Sequence, residues 1–161
     1  MARVYLSLGS NIDRERYIRA GLTALEAEFG GLIVSPVYES EAVGFDGDNF
    51  YNLVVGIETY LGVGELQRVI KAIEDDNGRV RSGPKFSPRT LDIDILTYND
   101  CVGQVEGVEL PRDEILKNAF VLLPLADVAG HELHPQVKRS YADLWSDYDK
   151  QQQALWPVQL L

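Results

Sequence analysis

The sequence predicts an α+β fold: an antiparallel sheet with helices packed on it and a less regular C-terminal extension. Three observations carry this. Four segments alternate in polarity or are rich in β-branched residues, and two others repeat apolar residues at steps of three and four. Their order over roughly the first hundred positions is β-α-β-β-α-β, the ferredoxin-like pattern. No composition shift or linker divides the 161 residues, so a single domain covers 1–161.

Residues 3–8 alternate and hold Val, Tyr and Leu, the first strand; Gly9-Ser10-Asn11 turns, with Asp13 or Asn11 available as a helix cap. Ile18, Leu22, Leu25 and Phe29 form one helical stripe, stopped by Gly30-Gly31. Residues 32–38 read as a second strand, 40–49 as a loop and 53–61 as a third strand. Leu66, Val69, Ile70 and Ile73 form the second stripe, ended by Asn77-Gly78. Residues 90–98 are a fourth strand. Beyond it, 102–104 and 107–109 suit a hairpin, 120–128 a short covering helix, and 140–148 a small helix. The apolar tail 156–161 has the character of a docking segment.

With 45% hydrophobic and 25% charged residues the chain is neither disordered nor fibrous. Its longest apolar run, 119–123, is far too short to span a bilayer, and no charged leader precedes an apolar segment at the N-terminus. The lone Cys101 has no internal disulfide partner, so a cytoplasmic location is the expectation. A net charge of −10 argues against nucleic acid and anionic membrane as partners. The oligomeric state leaves no mark in the sequence. His131-Glu132-Leu133-His134 lacks the spacing of a zinc helix, and both histidines read as non-catalytic.

Charge is unevenly placed. Arg79, Arg81, Lys85 and Arg89 fall within eleven residues that hold no acid. This loop feeds a strand containing Asp92-Ile93-Asp94. Alternation puts both carboxylates on one face and turns Ile93 and Ile95 into the core. An isolated Asp-x-Asp is more often two solvated acids, and four basic residues are often a surface patch. Together they are different: paired carboxylates suit a hard divalent cation, and guanidinium groups grip phosphate. That set fits phosphoryl-type transfer, where catalysis is mostly positioning and charge neutralisation. Gly83, Pro84 and Pro88 give the loop the composition of a lid.

The string Gly78-Arg79-Val80-Arg81, followed by Pro88-Arg89-Thr90-Leu91-Asp92-Ile93-Asp94-Ile95-Leu96, resembles the signature of the 6-hydroxymethyl-7,8-dihydropterin pyrophosphokinases of folate biosynthesis. Leu8-Gly9-Ser10-Asn11, Phe50-Tyr51-Asn52 and Phe120-Val121-Leu122-Leu123-Pro124-Leu125 are similar to further segments of that family, and the resemblance runs to about Pro135. It implies a ferredoxin-like sandwich and transfer of pyrophosphate from ATP to the pterin hydroxymethyl oxygen, releasing AMP. By position, Asp92 and Asp94 would hold two Mg²⁺ ions, and Arg79 and Arg89 would neutralise the transferring phosphates. Glu74, Arg81, Ile95 and Arg112 would stand against the nucleotide. Asn52 would bond the pterin edge, Phe50 and Phe120 would sandwich the ring, and Ser40, Val43 and Gly44 would complete that pocket. Without the resemblance, Phe50 and Phe120 would read as core packing.

The chain departs from the family pattern in places. Phe86 and Ser87 replace a usual Trp-Gly, and Pro111-Arg112, followed by Asp113, replaces Pro-His. Gly107 and Glu109 lie where an Arg is common, and Asn118-Ala119 where Glu-Arg often stands. The pterin and metal residues are retained, while the outer wall of the nucleotide site is altered. Two other readings are a paralogue acting on a related pterin and a non-catalytic module that binds nucleotide or pterin. Paired metal carboxylates beside phosphate-gripping arginines weigh against the second.

Overall fold

The computed structural model describes residues 1–42, 47–78 and 90–160. Val43 and Gly44, and the basic loop with Arg79, Arg81 and Arg89, lie outside the described residues. The elements run β1 (Ala2–Ser10), α1 (Arg14–Phe29), β2 (Ile33–Val34), β3 (Val37–Ser40), β4 (Phe50–Thr59), α2 (Val63–Asp76) and β5 (Asp92–Tyr98). There follow the hairpin β6 (Gly103–Val105) and β7 (Val108–Leu110), then α3 (Glu114–Lys117), α4 (Ala119–Ala129), α5 (Tyr141–Asp147) and β8 (Leu155–Val158).

The sheet order is β5-β1-β4-β3-β8, antiparallel throughout, with β2 also paired to β4. Its first four strands have the ferredoxin-like arrangement expected from the sequence. Alternation gives each central strand two apolar faces. Val4, Leu6 and Leu8 of β1 and Leu53, Val55 and Ile57 of β4 pack with Ile18, Leu25, Leu66, Ile70 and Ile73 of α1 and α2. Tyr5, Val54 and Leu96 pack on the other face with Ile115, Val121, Leu122 and Leu125. Both helical stripes are thus buried as their spacing requires. The C-terminal extension places α4 and α5 over this second face, the covering helix and small helix expected there, with less regular segments around them.

Four details differ from the sequence reading. The second strand is broken at Ser35-Pro36, because proline has no N–H for the ladder. Val34 pairs with Val55 and Tyr38 with Asn52, so one extra residue bulges here. Ser35 fills the gap: its Oγ accepts the Val54 N–H at 2.9 Å, and its own N–H donates to the Val54 carbonyl at 2.9 Å. The third strand begins at Phe50, not residue 53, and the fourth at Asp92, not residue 90. Asp13 occupies the position before α1 but makes no side-chain cap. The helix α2 ends as expected, with Gly78 at φ 79°, a left-handed turn that glycine adopts freely.

The apolar tail docks on its own sheet. It forms β8, pairing Leu155 with Ser40 and Val158 with Val37. Beside it, Glu39 accepts from Asn49 Nδ2 at 3.0 Å and meets Arg14 at 3.2 Å. The Arg14 guanidinium also lies 4.0 Å over the Tyr51 ring. These contacts tie β3, β4 and the start of α1 together.

Candidate active site

The sheet register builds the site. Across the face that carries α4, Asn52 of β4, Gly9 of β1 and Asp92 of β5 form one row. Val54, Ser7 and Asp94 form the next. Gly9 is the floor between them. A Cβ there would sit 3.7 Å from Asn52 Oδ1 and 3.7 Å from Phe50 Cδ1. Its absence leaves a shallow space flanked by an amide and an aromatic ring, with a carboxylate across the strand.

Each flank is held from behind. Asn52 is buried, and its Nδ2 donates to Ser40 Oγ at 2.8 Å and to the Tyr38 carbonyl at 3.3 Å. The amide is thereby oriented with Oδ1 toward Gly9. Ser40 is buried and engaged with Asn52, so its side chain serves as a brace. Tyr38 ties β3 to α4 by donating to Asp127 Oδ2 at 2.5 Å; burial, then this bond, raises its phenol pKa. Phe120 stands half-buried in the first turn of α4.

On β5 the expected alternation is present. Ile93 and Ile95 are each 2% exposed and belong to the core below, while Asp92 and Asp94 stay half-exposed on the opposite face. The same alternation that exposes Asp94 turns the Ile95 side chain into the core, so what Ile95 presents on the Asp94 side is backbone. A bulge follows: Tyr5 pairs with Thr97 and Leu6 with Ile95, leaving Leu96 as the extra residue. Glu74 is 4% exposed on the far side of the strand, and its Oε2 accepts the Ile93 N–H at 2.8 Å. That bond fixes the backbone between the two aspartates.

Arg112 stands beside Asp94. Its own N–H donates to the Leu96 carbonyl at 2.8 Å, which seats it against β5. Its guanidinium lies 3.6 Å from Asp94 Oδ1 and donates to Glu114 Oε1 through Nε at 3.1 Å and through a terminal nitrogen at 2.8 Å. Burial, and then the neighbouring Asp92 charge, push the Asp94 carboxyl up to about 7, with Arg112 opposing. A carboxylate pair in this condition suits a divalent cation. Among the described residues no group of three or more His, Cys, Asp or Glu is arranged to hold a metal by itself. Two carboxylates plus substrate oxygens are the ordinary Mg²⁺ set.

Sequence reasoning missed Gly9 as the neighbour of Asn52 and Asp92, and Ser40 as the brace of Asn52. The Gly-Ser-Asn turn was a usable signal for the first. His134 is buried, and its Nδ1 accepts the N–H groups of Gln136 and Val137 at 3.1 and 3.2 Å, a turn-building role.

Residues 5–130 match the family model described as 7,8-dihydro-6-hydroxymethylpterin-pyrophosphokinase (HPPK). A 2-amino-4-hydroxy-6-hydroxymethyldihydropteridine pyrophosphokinase of Aquifex aeolicus is 39% identical over 137 residues, 84% of this chain and 85% of that protein. The protein of the same name from Pseudomonas aeruginosa is 40% identical over 131 residues, 79% of this chain and 80% of its own length. Among solved structures, the Plasmodium falciparum HPPK-DHPS crystallised with SDX-DHP aligns with a TM-score of 0.74 at 17% identity. That alignment covers 94% of this chain and 45% of the longer one, and it speaks for the fold.

Proposed function

The chain belongs to the 7,8-dihydro-6-hydroxymethylpterin-pyrophosphokinase family, and on that premise we propose how its residues carry the reaction. The reaction transfers pyrophosphate from ATP to the hydroxymethyl group of 6-hydroxymethyl-7,8-dihydropterin in folate biosynthesis. The acceptor oxygen bonds the β-phosphorus as its bond to the α-phosphate oxygen breaks, and AMP leaves. The cross-sheet row Asn52–Gly9–Asp92 is the observation that supports the assignment: it sets a buried amide and a glycine floor next to a pair of carboxylates.

Asn52 presents its carbonyl oxygen to the pterin edge, and Phe50 and Phe120 cover the ring faces. Val43 and Gly44, which lie outside the described residues, would complete this pocket. Asp92 and Asp94 would hold Mg²⁺, two ions in all, and the bound ions would neutralise charge on the transferring phosphates. Arg79, Arg81 and Arg89, which lie outside the described residues, would grip those phosphates. Arg112, anchored on Glu114 beside Asp94, would reach a phosphate oxygen of the nucleotide. Glu74 keeps the Asp92–Asp94 backbone still. The partners are these small molecules alone, and the setting is the cytoplasm. No helix among the described residues is long and apolar enough to cross a membrane.

The test is product analysis with ATP, Mg²⁺ and hydroxymethyl-dihydropterin. AMP formed in step with pyrophosphorylated pterin is the expected result. ADP as the stoichiometric nucleotide product would overturn the reading.

A further inference from the structure

Two networks converge on one side chain that lies beyond the family-matched residues 5–130. Gln153 is half-buried in the turn before β8. Its Oε1 accepts the Ala119 N–H at 2.8 Å. That amide belongs to the first turn of α4, where helical N–H groups have no internal partner, and Asn118 makes no side-chain cap there. The next residue is Phe120. Through its amide nitrogen Gln153 donates to Asn118 Oδ1 at 2.9 Å. Asn118 Nδ2 passes the connection to Glu114 Oε2 at 3.3 Å, and Glu114 Oε1 holds Arg112, which faces Asp94.

We propose that Gln153 is a positioning residue for both halves of the site, setting Phe120 through Ala119 and Arg112 through Asn118 and Glu114. This rests on the reading that Phe120 covers the pterin and Arg112 serves the nucleotide. Gln153 itself touches neither substrate. The geometry favours this over a merely tethering role because the two bonds use the two ends of one planar amide. Fixing either end orients the other. Two residues on, Leu155 pairs with Ser40, the brace of Asn52. One short segment therefore reaches the start of the Phe120 helix and the strand behind the pterin amide, with the arginine network between them.

The test compares Gln153→Ala and Gln153→Glu in the full chain. Gln153→Ala is expected to raise KM for both substrates about three- to tenfold, the range one hydrogen bond supplies, with kcat little changed. Gln153→Glu keeps an acceptor for the Ala119 N–H, where negative charge suits a helix start, but loses the donor to Asn118. It is expected to restore the pterin KM and leave the ATP KM raised. A simple tether would instead lower melting temperature and active fraction together, with both KM values unchanged. That result overturns the proposal, as does a Gln153→Ala enzyme identical to the parent.

Calorimetric binding of the pterin and of ATP with Mg²⁺ separates this from the proposed function. A parent protein that binds both ligands without forming AMP overturns the catalytic reading. The variants' dissociation constants then judge Gln153 by the same pattern. A parent that binds neither ligand overturns both.

Discussion

Arg112 is shared between two carboxylates: its guanidinium holds Glu114 at 2.8 Å and leaves Asp94 at 3.6 Å. The tight bond is to the residue that anchors it, and the loose one is to the residue proposed to bind a cation. A permanently charged fork so arranged can turn from carboxylate to phosphate without losing its anchor.

Replacing Arg112 by Ala should therefore raise KM for ATP and leave pterin affinity nearly unchanged. The effect should be larger at low ionic strength, where charge attraction is least screened. Steady-state kinetics across salt concentrations check this. An unchanged ATP KM at every salt concentration would remove Arg112 from the nucleotide site.

Asp94 makes the ligand-free protein sensitive to pH in a defined direction. Its folded pKa, about 7, lies above the ordinary 3.8, so between those values the folded state binds more protons than the unfolded. This contribution to stability is full below the lower value and is lost as pH rises through the upper. Asp94→Asn should abolish turnover yet unfold at higher urea than the parent at about pH 8, with the advantage shrinking toward about pH 5. A difference between variant and parent that is the same at both pH values would disprove it. Added Mg²⁺ should stabilise the parent and not the variant.

His134 works in the opposite sense. Burial holds its pKa below the usual 6.5, so the unfolded chain takes up a proton that the folded chain refuses. Its contribution is complete above about pH 6.5 and falls away below, by at most about 1.4 kcal/mol per pH unit. His134→Gln should flatten stability over that acidic window without altering kinetics at neutral pH. A variant whose acid limb is as steep as the parent's would show that other groups set it.

Gly9→Ala separates folding from binding. The added methyl meets Asn52 Oδ1 and Phe50 at ordinary contact distance, so the fold should lose little or nothing. It fills the pterin floor, however, and overpacking of that kind costs about 1–3 kcal/mol. Pterin affinity measured by calorimetry should drop accordingly while the melting temperature holds. Full pterin affinity would mean that the ring lies elsewhere.

Phe120→Ala should weaken pterin binding by about 1–3 kcal/mol if it removes a stacking face. Nucleotide binding should be nearly unaffected. Equal loss for both ligands would point to disturbed packing of α4 instead.

The parts legible in the sequence are those governed by local period. The Asp92–Asp94 face follows from strand alternation alone, and the two helical stripes fix which sides of α1 and α2 are buried. The same rule puts the Ile95 side chain in the core, where it is found. What was not legible depends on pairing between distant segments. Nothing near Ser40 tells that Leu155 will lie beside it, and nothing in Gln151-Gln152-Gln153 marks the third as the one that caps α4. The break at Pro36 was visible as a residue, but its remedy by Ser35 needs the β4 register.

The strand that completes the sheet is the last of its strands to be synthesised. Until β8 arrives, β3 is an edge with unpaired N–H and C=O groups along Val37–Ser40, next to the hydrophobic sheet face. Such an edge is a template for another chain. A nascent or C-terminally clipped chain is therefore exposed to strand-to-strand aggregation through the segment that later braces Asn52. The finished protein blunts the hazard, because Pro157 on the new edge has no N–H to offer a further strand. Expression yield and solubility of chains shortened before β8 thus become a measure of how dangerous that open edge is.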